Sequence, residues 1–155
     1  MKTLNYFNIK KLSALILVGL SFIFATQVKA QNHPAYLHAI SNLKAAKWFI
    51  EHRGNGNFTQ TTDERMALRE INTAIIEIKA AAWADGKNVY DKVPVDGSGT
   101  QSGRLHSALD YLLKARRDIA QAENNSSVSD LQNRSYGHID NATRLVNNAI
   151  RAAGY

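Results

Sequence analysis

Cysteine is absent from this 155-residue sequence. Disulfides, thiolate metal sites and haem attached through cysteine are therefore excluded. Proline occurs twice, at Pro34 and Pro94. No strand-like alternation of any length is present, which removes sheet architectures. The motifs of nucleophilic catalysis, the phosphate loop and the dinucleotide fingerprint are all missing. Gly54-Asn55-Gly56 has no strand before it and reads as a helix-ending turn. No Glu-x-x-His pair occurs, so the ligand pattern of di-iron carboxylate bundles is missing too.

Acidic residues are absent from the first thirty positions. That stretch carries Lys2, Lys10 and Lys11, then the apolar run Leu12 to Phe24, then Val28-Lys29-Ala30. This is the layout of a secretory signal with cleavage after Ala30. The run is about thirteen residues, short of the roughly twenty a membrane span needs. A leader retained as an anchor is the alternative, and the lack of cysteine excludes a lipoprotein. The expected organisation is a leader over 1–30 and a domain over 31–155, in the periplasm or secreted, with no stable membrane anchor after cleavage. The formal charge of +6 rests on 19 basic and 13 acidic residues. Four of the lysines lie in the leader, which leaves +2 on the mature chain. So small an excess gives no reason to expect nucleic acid as a partner.

What remains is rich in helical periodicity. Leu68, Ile71, Ile75, Ile78 and Ala82 recur at steps of three and four, which places them on one stripe of a helix. Tyr36, Ile40, Leu43 and Ile50, flanked by Ala39 and Ala46, make a second stripe. Leu105, Ala108, Leu112, Ala115 and Ile119 make a third. Leu131, Ala142, Leu145, Val146, Ala149 and Ile150 make a fourth. Thr61 with Glu64 forms a capping box, and Gly86 is a helix stop. Helices are expected over about 34–53, 62–85, 102–122 and 127–153. Together they predict an all-α, antiparallel up-down-up-down four-helix bundle, with one long connection over 87–100.

Several side chains are candidates for chemistry. Glu70 and Glu77 lie a heptad apart off the apolar stripe and read as a solvated face. His138 sits at the edge of the fourth stripe, near the expected level of Tyr111, and reads as a core histidine with a hydrogen-bond partner. A non-covalent haem held by His138 and Met66 is the sharper alternative. His52 ends the first helix, where it complements the dipole. Cleavage after Ala30 would expose Gln31-Asn32-His33. The terminal amine, two backbone amides and the imidazole of that tripeptide form a square-planar site suited to Cu(II) or Ni(II).

An up-down-up-down order brings the starts of helices 1 and 3 and the end of helix 2 to one end. Tyr36, His38, Trp83, Asp85, Lys87, Arg104, His106 and Asp110 would gather there. They would form either a ligand or metal site, or an anchor for the loop through an Asp85–Arg104 ion pair.

The segment His33-Pro34-Ala35-Tyr36-Leu37-His38-Ala39, followed by Ala46 and Trp48, resembles the opening of a family of small exported bacterial helical proteins. The likeness continues through Glu77-Ile78-Lys79-Ala80-Ala81, Asp85-Gly86-Lys87, Gly103-Arg104-Leu105-His106 and Leu131-Gln132-Asn133-Arg134. It implies an exported helical domain and brings no activity and no catalytic residue with it. The expectation is a non-enzymatic bundle that binds a ligand or an envelope protein. A metal- or haem-binding bundle and a purely structural envelope protein are the alternatives.

Overall fold

The computed structural model describes residues 34–52, 59–90 and 103–154. All of them belong to one unit, residues 32–155. The leader, the Gln31-Asn32-His33 terminus, the Gly54-Asn55-Gly56-Asn57 turn and the 91–102 part of the long connection lie outside the described residues. Four helices are present among those described: α1 Tyr36–Glu51, α2 Thr62–Ala84, α3 Arg104–Asp118 and α4 Ser126–Ala152. No strand occurs among them.

Local chemistry sets the helix ends. The capping box at the start of α2 is formed. The Glu64 backbone N–H donates to Thr61 Oγ1 at 3.2 Å, and the Thr61 N–H donates to Glu64 Oε2 at 2.7 Å. Gly86 ends α2 in the left-handed region at φ +71°. Lys87 N–H then donates to Ala82 O at 2.8 Å and Gly86 N–H to Trp83 O at 3.0 Å, the Schellman pattern. α3 ends at Asp118, four residues short of the expected boundary. The buried Gln132 side chain supplies the reason. Its Nε2 donates to Ile119 O at 2.6 Å and Gln121 O at 2.7 Å, so a side chain of α4 satisfies carbonyls that a further helical turn would otherwise use.

The core differs from the expected stripes on two helices. On α2 the buried side is Ala67, Ile71, Ala74, Ile78, Ala81 and Ala82, while Leu68 and Ile75 are only partly buried. On α4, Leu131 is half-buried, and Val128, Gln132, Ser135 and Ile139 are buried in its place. The physical reason is a set of alanines at heptad spacing: Ala39 with Ala46, Ala67 with Ala74 and Ala81, Ala108 with Ala115, and Ala142 with Ala149. Small side chains let neighbouring helices approach closely, so on α2 the alanine row faces inward beside Ile71 and Ile78 and leaves Leu68 and Ile75 on the flank. Leu112 is fully buried within this core. Leu112→Ala is expected to cost about 2–5 kcal/mol in a denaturant titration, the usual range for a cavity-forming change.

The sense of the helices corrects the expected order. Ala35 N–H donates to Asp118 O at 2.8 Å, and Asn42 Nδ2 donates to Asp118 Oδ2 at 2.8 Å. At the other end of α1, Phe49 stacks on Tyr111 with ring centroids 5.5 Å apart, and the Arg104 guanidinium lies 5.3 Å from the Trp48 ring. The start of α1 therefore faces the end of α3. α2 also runs against α1: Lys47 bonds Asn72, and Asp85 acts on the Tyr36 phenol. α4 runs against both α2, through Glu70–His138 and Glu77–Arg134, and α3, through Arg116–Asp140 and the Gln132 contacts. Neighbouring helices are antiparallel, but α2 and α3 point the same way. The order is up-down-down-up, not up-down-up-down.

Candidate functional site

This order separates the residues expected to share one end. Tyr36, Trp83, Asp85 and Lys87 lie at the end where α1 begins. Arg104 and His106 lie where α1 finishes. His38 and His106 are separated by about a dozen residues of helix, roughly 18 Å along the axis at 1.5 Å per residue. The Asp85–Arg104 ion pair is ruled out for the same reason, because Arg104 packs over Trp48 at the far end. Asp110 lies one turn beyond His106, and both are half-buried. His38 and Lys87 are exposed.

At the α1-start end the geometry is that of an anchor. Tyr36 is buried, 1 % exposed, and its hydroxyl donates to Glu123 Oε2 at 2.7 Å. Burial pushes the phenol pKa well above its ordinary value, and the bond to Glu123 and the charges of Glu123 and Asp85 push the same way. The folded chain thus holds this proton more tightly than the unfolded chain does. Below the ordinary tyrosine value near ~10 both states keep it and the contribution is intact. As pH rises past that value the unfolded chain loses its proton first, so stability falls with rising pH. Tyr36→Phe is expected to cost about 1 kcal/mol at neutral pH and to reduce the alkaline decline, as read from urea titrations at two pH values. Tyr136, also raised by burial against the opposing charge of Arg116, retains part of that decline.

Glu70 and Glu77 do not form a free solvated face. His138 Nδ1 lies 2.6 Å from Glu70 Oε2, and its Nε2 lies 3.8 Å from Glu77 Oε2. Arg134 Nε donates to Glu77 Oε1 at 2.8 Å and also pairs with Asp130. The heptad spacing on α2 and the i, i+4 spacing on α4 bring these groups into one seam. His138 is therefore partnered, by carboxylates of α2, but it is only half-buried at the surface of the seam and not a core histidine. Met66 is 44 % exposed on α2, and His138 Nδ1 lies against Glu70. Among the described residues no group of three or more His, Asp or Glu is arranged to hold a metal ion.

A surface that sequence reasoning missed lies where α1 ends and α3 begins. Trp48 is 47 % exposed, with the His52 ring stacked on it at 4.6 Å and the Arg104 guanidinium 5.3 Å from its centroid. Phe49 meets Trp48 edge-on at 5.1 Å and stacks on Tyr111, and Lys114 Nζ lies 4.7 Å from the Tyr111 ring. Aromatic faces are electron-rich, so cations settle over them. The signal was available in the sequence: Trp48, Phe49 and His52 fall off the α1 stripe, and α3 carries cations beside its own. It became readable only once α1 and α3 were known to be antiparallel. Comparison of the chain with protein-family models, with curated protein sequences and with solved structures gave no match.

Proposed function

We propose that this chain is an exported, non-enzymatic helical-bundle protein of the family its motifs resemble, and that it binds a ligand or partner in the periplasm or outside the cell. The observation that carries the binding reading is the half-exposed Trp48, stacked with His52 and overlaid by Arg104. A large aromatic group kept partly in water, with the Arg104 cation over it, suits recognition of a planar or anionic group more than it suits folding. Export rests on the lysine-flanked apolar run and the Val28-Lys29-Ala30 cleavage pattern. Two measurements test the reading. Fractionation and amino-terminal sequencing of the expressed full chain should find a product beginning at Gln31 outside the cytoplasm. Mass spectrometry of that product should find a retained molecule that Trp48→Ala and Arg104→Ala release without lowering the melting temperature. Turnover of a defined substrate by the purified product would overturn the non-enzymatic reading.

A further inference from the structure

The outward side chains of α2 pack against no other helix; Arg65 donates to Gln60 O at 2.7 Å and to Thr62 Oγ1 at 3.2 Å, both at the start of its own helix. Helical geometry places Arg65, Arg69, Ile76, Ala80 and Trp83 opposite Ile71 and Ile78. Ile76 is 67 % exposed, Trp83 76 % and Tyr90, just past the helix, 87 %. Arg65, Arg69 and Lys87 are exposed, and Lys79 lies on the flank. The acids of α2 sit elsewhere. Asp63 is in the first turn, Glu64 is buried in the capping box, and Glu70 and Glu77 face His138 and Arg134. Trp83, Gly86, Lys87 and Tyr90 border a shallow hollow of about 320 Å³. The turn beneath it is held by Val89 packing on the core and by Tyr90 N–H donating to Asn88 Oδ1 at 3.1 Å.

We propose that this face of α2 docks on a lipid surface bearing anionic headgroups. Trp83, Ile76 and Tyr90 enter the interfacial layer, where amphipathic aromatic rings are at home. Arg65, Arg69, Lys79 and Lys87 pair with headgroup phosphates, and the hollow beside Lys87 has room for one headgroup. Charge selects the occupant. A second copy of the chain in a symmetric pairing would set this cationic face against itself. A membrane carrying phosphates relieves the like charge. No described helix is long and apolar enough to span a bilayer, so the contact is peripheral. It uses none of the residues of the Trp48 surface.

The test uses protein recovered from the exporting host, all variants sharing one amino terminus. Trp48→Phe leaves Trp83 as the only tryptophan of the chain. Its emission is expected to shift to the blue and be quenched by brominated acyl chains in phosphatidylcholine vesicles carrying about one third phosphatidylglycerol, and not in phosphatidylcholine alone. In the native background, Arg69→Glu with Lys87→Glu should weaken vesicle co-sedimentation at least about tenfold, given roughly 1 kcal/mol per basic residue at the surface. Trp83→Ala should abolish it, and raised salt should weaken it. Melting temperatures of the Arg69, Lys87 and Trp83 variants should not change, because those side chains are exposed. Equal binding to neutral vesicles, or no loss in these variants, overturns the proposal. So does a concentration-dependent dimer that Trp83→Ala dissolves, which would assign the face to self-association.

Discussion

Ile71→Asp is expected to leave the chain unfolded at room temperature. Ile71 is fully buried between Ala67, Ala74 and Ile78 on the inner side of α2. The substitution removes its apolar burial and forces a carboxylate into a site without water. Together these cost on the order of 5 kcal/mol or more, comparable to the whole stability of a domain this size. Far-UV circular dichroism should show the helical signal lost. Ile75→Asp makes the contrast. Ile75 is only partly buried, so its replacement can turn toward solvent and should cost about 1–2 kcal/mol while the chain stays folded. Equal damage at the two positions would mean that the inner face of α2 has been assigned wrongly.

That pair of variants also marks where reading the sequence succeeds and where it stops. The 3.6-residue period identifies α2 and its approximate inner side, and the Thr61–Glu64 box marks its start. The period alone centres the stripe on the largest apolar residues, hence on Ile75. It gives no weight to Ala67, Ala74 and Ala81, whose value lies in the closeness of approach they allow and which only a neighbouring helix reveals. The same limit explains the separated end cluster. Residues 87–103 can reach roughly 55 Å when extended, whereas α2 is about 35 Å long. A connection of that length can return to the end it left or begin the next helix at the other, and composition does not choose. Asp118 meeting Ala35 and Asn42 decides for the second. Once the order changes, His38 and His106 part company, while Trp48 and Arg104 meet.

Gln132→Glu is expected to be among the most damaging single changes at a buried polar side chain. Gln132 is 6 % exposed, and its Nε2 donates both hydrogens to main-chain oxygens, those of Ile119 and Gln121. These bonds close α3 and lead the chain into α4, whose start is capped by Asn125 Oδ1 accepting from Ser127 N–H at 3.1 Å. A carboxylate has the same shape but offers only oxygens to those two carbonyls. The change therefore removes two bonds and adds repulsion between partial negative charges, a cost of about 3 kcal/mol or more. Gln132→Leu keeps the volume and strands the carbonyls without repulsion, for about 2–3 kcal/mol. The two differ again in acid. A carboxylic acid held among carbonyls titrates above its unfolded value of about 4.3, so it keeps its proton longer in the fold. Gln132→Glu should thus regain part of its lost stability below that value and lose it again as pH rises, while Gln132→Leu should show no such recovery relative to the parent. Urea titrations at acid and neutral pH read both. If Gln132→Glu is as stable as the parent at neutral pH, the amide does not hold the α3 carbonyls, and the early end of α3 needs another cause.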